Sequence, residues 1–306
     1  ASTAPLVAAV SNAGGLGVLG VGFAPAGFIR VQVAETRSLT DKPFAINLCI
    51  EHQNTILDEV SQLAIELKVP VIYADTVVNL DEDLCRKYFS LWKAHGIKII
   101  VKASILNDAV IARRAGADMI VVKGWEAGGH VAYESTMVIT PLTVDTLDCP
   151  VIGSGGICDG RTAAAVFAMG AEGVEIGSAF LMTKECDVHP NVKEAIAKSA
   201  DMDTIVTGSP TDEPCRQLKN PFSEKVMNIE YTMPKAEAAP ILREMCASSL
   251  KKAMAEGDMI DGAVMVGQNA SRLNKVVSAK EVIDTIIAEA KTTAETLSKT
   301  LNGILS

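Results

Sequence analysis

The sequence predicts an α/β protein built as a (β/α)8 TIM barrel, and three observations predict it. Short apolar runs rich in β-branched residues recur along the first part of the chain, amphipathic stretches separate them, and glycines stop the helices just before the next run. The runs are Gly17–Gly20, Pro43–Leu48, Val71–Asp75, Ile97–Ala103, Met119–Gly124, Pro150–Gly156 and Gly173–Phe180. Each reads as a strand buried on both faces, which is the pattern of a parallel sheet. Helices are expected over Ala4–Asn12, Gln53–Leu67, Asp81–His95, Asn107–Ala115 and Gly160–Met169. Successive runs lie about one βα unit apart. A closed barrel needs eight strands, seven are countable, and the chain opens inside a helix. The first strand is therefore expected to be missing from this chain. A doubly wound open sheet is the alternative, ranked second because the units run on without a reversal signal.

The character changes after Phe180. Residues 186–262 are expected to hold polar helices (Asn191–Ala200, Ala236–Glu256) and proline-containing turns without strand rhythm. The organisation predicted is a barrel over residues 1–185, an inserted helical subdomain over 186–262, and a C-terminal barrel part over 263–306. The last barrel helix is placed at Ala279–Lys299.

Composition narrows the function. The 306 residues are 48% hydrophobic, enough for a substantial core, and the net charge is −9 without any Lys/Arg cluster. A phosphate backbone needs a positive footprint, so nucleic acid is a poor partner. No apolar run reaches the ~18 residues that span a bilayer, so no membrane association is expected. The seven cysteines are odd in number and scattered, with no C-x-x-C pair. That argues against a disulfide framework and against a zinc site, and places the chain in a reducing cytoplasm.

Gly15-Leu16-Gly17-Val18-Leu19-Gly20 fits the dinucleotide fingerprint, but in inverted context, with a helix before it and a strand after. A nucleotide site needs the helix N-terminus to follow. These glycines are read as a tight turn. The loops ending the last two runs are more informative: Gly153-Ser154-Gly155-Gly156, and one unit later Gly177-Ser178. Loops after strands seven and eight of such barrels commonly bind phosphate, because glycines let backbone N–H groups approach its oxygens. As a bare turn, GSGG would also serve to start a helix; two glycine loops on successive strands favour the phosphate.

Trp125-Glu126-Ala127-Gly128-Gly129-His130 follows directly on a strand, at the catalytic face. Of the four histidines only His130 combines a strand end with flexible glycines, so it is the candidate acid or base rather than a surface histidine. Asn47 and Lys102 also end apolar runs. A lysine there either reaches solvent or holds an electron-rich ligand, such as the pyrimidine edge of a flavin.

At this point the chain resembles the nitronate monooxygenase (2-nitropropane dioxygenase) superfamily, which includes flavin-dependent enoyl-acyl-carrier-protein reductases and NADH:quinone reductases. The stretches that carry the resemblance are Ala8–Gly20, Thr40–Leu48, Ala115–His130, Pro150–Arg161, Gly170–Phe180 and Gly257–Gln268. It implies an FMN-binding barrel in which Asn47 and Lys102 contact the ring and Gly155, Gly156, Gly177 and Ser178 hold the phosphate. Glu126, Gly129 and Ser154 complete the cofactor site, Gln268 closes over it, and His130 is the catalytic group; no metal is implied.

Enoyl reductases usually carry Gly-Thr-Arg-Phe where this chain has Gly177-Ser178-Ala179-Phe180, and Lys102 resembles the quinone-reductase and monooxygenase pattern. Glu126–His130 and Gly257–Gln268 look closest to the enoyl reductases. The leading expectation is NADH- or NADPH-dependent reduction of an enoyl thioester in fatty acid biosynthesis, on a small-molecule or acyl-carrier-protein-bound substrate. Nitronate monooxygenase chemistry is the alternative and quinone reduction the third reading. A flavin-binding protein without catalysis is the competing non-enzyme class, and a homodimer is compatible with all of them.

Overall fold

The computed structural model describes residues 1–76 and 79–305. Its strands are β1 (Gly17–Leu19), β2 (Phe44–Cys49), β3 (Val71–Asp75), β4 (Lys98–Ala103), β5 (Met119–Lys123), β6 (Gly129–His130), β7 (Val151–Ser154), β8 (Gly173–Glu175), β9 (Thr204–Thr207) and β10 (Cys215–Leu218). Seven of them form one parallel sheet in the order β1-β2-β3-β4-β5-β7-β8. The order follows the chain from edge to edge without reversal, so this is a barrel wall and not a doubly wound sheet. Among the described residues β1 and β8 do not pair. Ser2 lies along the edge of β1 instead: its carbonyl accepts from Gly20 N–H at 2.9 Å, and its hydroxyl donates to the Val18 carbonyl.

Side chains of a strand alternate between its two faces, and here the alternation makes two cores. Leu19, Ile46, Leu48, Ile72, Ile99, Val101, Ile120 and Val122 face outward and are covered by the helices. Ala45, Tyr73, Ile100 and Val121, with Val18, Val71 and Ile152, form a separate inner cluster. Two residues further along the same inward phase stand Asn47, Asp75, Lys102, Lys123, Ser154 and Glu175. The interior therefore changes from apolar to polar in a single layer at the C-terminal ends of the strands. That layer positions the site.

The expected helices form with small shifts at their ends. Glu82–Ala94 starts behind Asp81, whose side chain accepts from Leu84 N–H at 2.8 Å, and Gly160–Ala168 starts behind an Asp159/Thr162 capping box. The segment predicted from Gln53 begins at Leu57, and the run predicted to Phe180 ends as a strand at Glu175, with a helical turn at Ser178–Leu181. Three helices have no counterpart in the sequence expectations: Ala26–Leu39, Thr136–Thr146 and Pro221–Thr232. The first buries Gln32 and Thr36 on its inner face and the second contains Pro141, so neither shows a clean apolar stripe. Ala279–Leu305 packs against both Gly160–Ala168 and Ala4–Asn12, where the barrel's last helix was expected. Contact is close: a Cβ on Gly160 would lie 2.2 Å from Glu289 Cβ and 2.3 Å from the Ala290 nitrogen.

The expectation that residues 186–262 lack strands is corrected. β9 and β10 pair antiparallel, and β10 pairs with β6, so this stretch returns to the loop after β5. Both strands are only four residues long, and the polar sequence of β10 (CRQL) gives no apolar run to recognise. The predicted helix over Ala236–Glu256 is also two, Lys235–Cys246 and Ser249–Met254. Among the described residues no helix is long and apolar enough to cross a membrane, and no cluster of side chains could hold a metal ion.

Candidate functional site

A cavity of about 380 Å³ opens at the C-terminal ends of the strands. Gly155, Gly156, Gly177 and Ser178 all line it, so the two glycine turns do converge. Gly155 has φ 113° and Gly156 φ 71°, a backbone that side chains rarely adopt. A Cβ on Gly155 would also lie 2.8 Å from Thr136 Oγ1. Gly177 differs: its φ is −102° and a Cβ there would meet nothing within 4 Å, because the space beside it is open. Ser178 Oγ accepts from Gly267 N–H at 2.9 Å, which ties the second turn to the segment over 266–269.

Lys102, Ser154 and Glu175 of the polar layer line the same cavity. Lys102 Nζ is 3.0 Å from Glu175 Oε1. Burial works to raise the Glu175 carboxyl, but the charge and hydrogen bond of Lys102 prevail and hold it below the usual carboxylate range. Asp75 goes the other way, raised by burial against the opposing pull of Asn47, Lys102 and Lys123. Burial pushes the Tyr73 hydroxyl well up, with Glu175 and Asp75 adding to it.

Among the described residues seven buried side-chain atoms lack a hydrogen-bond partner, and Tyr73 Oη, Glu175 Oε2 and Asn269 Oδ1 are three of them. Tyr73 and Glu175 are close enough to shift one another's titration, yet no hydrogen bond of good geometry joins them. Orphaned polar atoms are rare in folded proteins; Glu175 and Asn269 line the cavity, where a donor could complete their oxygens, whereas Tyr73 lies outside the wall.

Glu126 lines the cavity, but its carboxylate accepts from Thr136 N–H and Thr136 Oγ1, each at 3.0 Å, at the start of helix Thr136–Thr146. Its carbonyl accepts from Gln268 N–H at 2.9 Å. Glu126 thus joins the β5 loop to both the helix and the C-terminal segment. Gln268 is exposed and is not part of the cavity wall, whereas its neighbours Gly267 and Asn269 are. Asn269 Nδ2 donates to the Ile157 carbonyl at 3.1 Å, so it is Asn269 that turns inward. Asn47 also lies outside the wall, in the polar layer, with Nδ2 donating to the Tyr73 carbonyl at 3.4 Å.

Gly129 lines the cavity and His130 follows it on β6, opposite Cys215 of β10. The imidazole itself is exposed and is not part of the wall. Surrounding protein first, and the charges of Lys123 and Lys102 after it, push its pKa down to about 4, with Glu51 opposing. Solvent at the exposed ring screens part of that push. Either way the imidazole is neutral at pH 7. Cys215 is pushed up to about 12 by burial, so its thiol keeps its proton and is no nucleophile. The β10 strand is braced by Arg216, buried over the Trp125 ring at 5.1 Å and donating to the Trp125 carbonyl at 3.1 Å.

Sequence reasoning did not single out Lys123, Glu175, Tyr73 or Asn269. For the three strand residues the missing signal was phase: each continues the period of two set by the inner cluster.

A family model described as nitronate monooxygenase matches residues 1–289. A "Probable nitronate monooxygenase" of Staphylococcus saprophyticus is 31% identical over 94% of this chain and 92% of its own length. Among solved structures, FabK of Thermotoga maritima is 38% identical, with TM-score 0.90, covering 98% of this chain and 92% of that one. A nitroalkane oxidase of Streptomyces ansochromogenes shares the fold at 24% identity and TM-score 0.80, covering 97% of this chain and 94% of that one. With a seven-stranded barrel wall, a glycine-lined mouth and a match that runs through both, this chain is an oxidoreductase that belongs to the nitronate monooxygenase family.

Proposed function

We propose that the chain binds FMN in this cavity and uses electrons from NADH or NADPH to reduce the double bond of an enoyl thioester. The observation that carries the reading is the convergence of the Gly155–Gly156 and Gly177–Ser178 turns on one cavity whose floor is the polar strand-end layer. The residues fit the cofactor: Gly177 leaves open space where an anionic group would sit, and the cavity residues Glu175 and Asn269 each hold a buried oxygen without a hydrogen-bond partner. Bound FMN would supply the two-electron redox chemistry that side chains lack. Gly155, Gly156, Gly177 and Ser178 would hold its phosphate through backbone N–H groups, and Lys102, Ser154 and Glu175 would lie beneath its ring.

An enoyl thioester is supported by the cavity wall beside that floor. Phe180, Leu181, Leu250, Met254 and Met265 make it apolar, which suits an acyl chain better than a small polar anion. His130, neutral at pH 7, would orient the thioester by hydrogen bonding at the edge of the site. A neutral imidazole is a poor acid, so the proton that completes the α-carbon comes from solvent. An acyl-carrier protein would dock at this mouth.

Nitronate oxidation is the second reading, favoured by the family match and by a neutral imidazole ready to act as a base. The two separate cleanly. NADH or NADPH oxidation that depends on crotonyl thioester is the expected result. Oxygen uptake with a nitronate and no nicotinamide, without thioester-dependent turnover, would replace the reductase by the monooxygenase.

A further inference from the structure

Two lysines stand in the polar layer, and they are not equivalent. Lys102 on β4 is held by Glu175 at 3.0 Å. Lys123 on β5 is 8% exposed, yet among the described residues its ammonium group makes no hydrogen bond and has no carboxylate oxygen within 4.0 Å. It shares the inward phase of Val121 and is in register with Ser154, which is in turn in register with Glu175. The titratable groups facing it are Lys102 on β4, Asp75 on β3, Glu175 on β8 and Cys215 on β10, and its own charge bears on His130 on β6.

An ammonium group buried without a partner destabilises the fold, since it loses hydration and gains no ion pair. Such groups concentrate where a ligand completes them. Lys123 is not itself part of the cavity wall, but its neighbours in the layer, Lys102, Ser154 and Glu175, all are. Glu175 is in contact with Lys102, and Asp75 acts on Lys123 only across more than 4.0 Å, so Lys123 is the lysine of the layer that no carboxylate touches.

We propose that Lys123, and not the ion-paired Lys102, is the cation the barrel presents to the electron-rich edge of the bound flavin ring, stabilising the negative charge that the ring carries once reduced. This rests on the reading that the cavity takes FMN. The two electrons and one proton come from the nicotinamide donor, which leaves oxidised, and the ring gains one negative charge. Lys123 keeps its own proton throughout. Burial first, and Lys102 second, lower its pKa to about 8, so it is still largely charged at pH 7.

The test compares the full-length parent with Lys123→Met and Lys123→Arg, with Lys123→Gln in reserve should the methionine variant not fold. Reduced FMN should bind Lys123→Met (or Lys123→Gln) at least tenfold more weakly relative to oxidised FMN, which lowers the two-electron midpoint potential by about 30 mV or more. Lys123→Arg should stay near the parent. Flavin-free Lys123→Met should have a higher thermal midpoint, because an unpaired buried charge is gone. The pH dependence follows the same logic. The folded pKa of about 8 lies below the ordinary 10.5, so between these values the unfolded chain binds more protons and stability rises with pH. That rise should disappear in Lys123→Met. An unchanged potential with FMN bound, or a lower thermal midpoint marking Lys123 as a structural prop, overturns the proposal alone. A parent that takes up no flavin overturns the FMN reading together with it.

Discussion

Gly177→Val is expected to weaken FMN binding at least tenfold while leaving the flavin-free protein as stable as the parent. The two effects separate because of the local geometry. Gly177 has φ −102°, which valine adopts without strain, and no atom lies within 4 Å of the position its Cβ would take. The added methyl groups therefore cost the folded chain little, yet they occupy space at the cavity edge proposed for the phosphate. A tenfold loss corresponds to ~1.4 kcal/mol, modest for a steric block at a phosphate. Gly155→Ala makes the internal contrast. With φ 113° and Thr136 Oγ1 at 2.8 Å from the new Cβ, it strains the turn itself by ~1–3 kcal/mol, so stability and FMN affinity fall together. Fluorescence titration with FMN and thermal unfolding of both variants read the pattern. A Gly177→Val variant that binds FMN as the parent does would move the phosphate elsewhere.

His130→Ala should lower kcat/KM by about 10²–10³, the range for removing one preorganised hydrogen-bond donor. The pH profile discriminates more sharply than the loss. The imidazole is kept neutral by surrounding protein and by the charges of Lys123 and Lys102, so activity that needs the neutral ring should persist as the pH falls from 7 through the ordinary imidazole range near 6.5. Its acid limb should lie lower still. Lys123→Met removes one of those charges and should move that limb upward. A limb centred at 6.5 in the parent would mean that His130 titrates as a free surface histidine.

Much of this architecture is legible in the sequence because a barrel repeats one physical unit. Val71–Asp75 reads correctly to the residue, since an isolated β-branched run between helix stops has few other uses. The helices that start behind Asp81 and Asp159 are legible because cap chemistry is local, and Ala4–Asn12, which has no side-chain cap, is legible from its apolar run and the proline in its first turn. The glycine turns could be paired because both follow strands that are neighbours in order. What could not be read is set by tertiary partners. β10 is polar and exists because β6 and β9 complete its hydrogen bonds. Ala26–Leu39 buries Gln32 because its side chain accepts from Ala4 N–H at 2.9 Å. Lys102 was visible as a cation at a strand end, but its neutralisation by Glu175 needs the two strands brought to opposite sides of one cavity. Glu126 looked like a ligand residue from its loop, whereas its carboxylate is engaged by Thr136.

In the proposed site, two backbone turns at neighbouring strand ends would hold a phosphate group above a charged barrel floor. The most direct measurement is the affinity of the flavin-free chain for FMN against riboflavin, which differ only in that phosphate. One FMN per chain, bound at least tenfold more tightly than riboflavin, is the predicted result. Equal affinity for the two, or none for either, would contradict it.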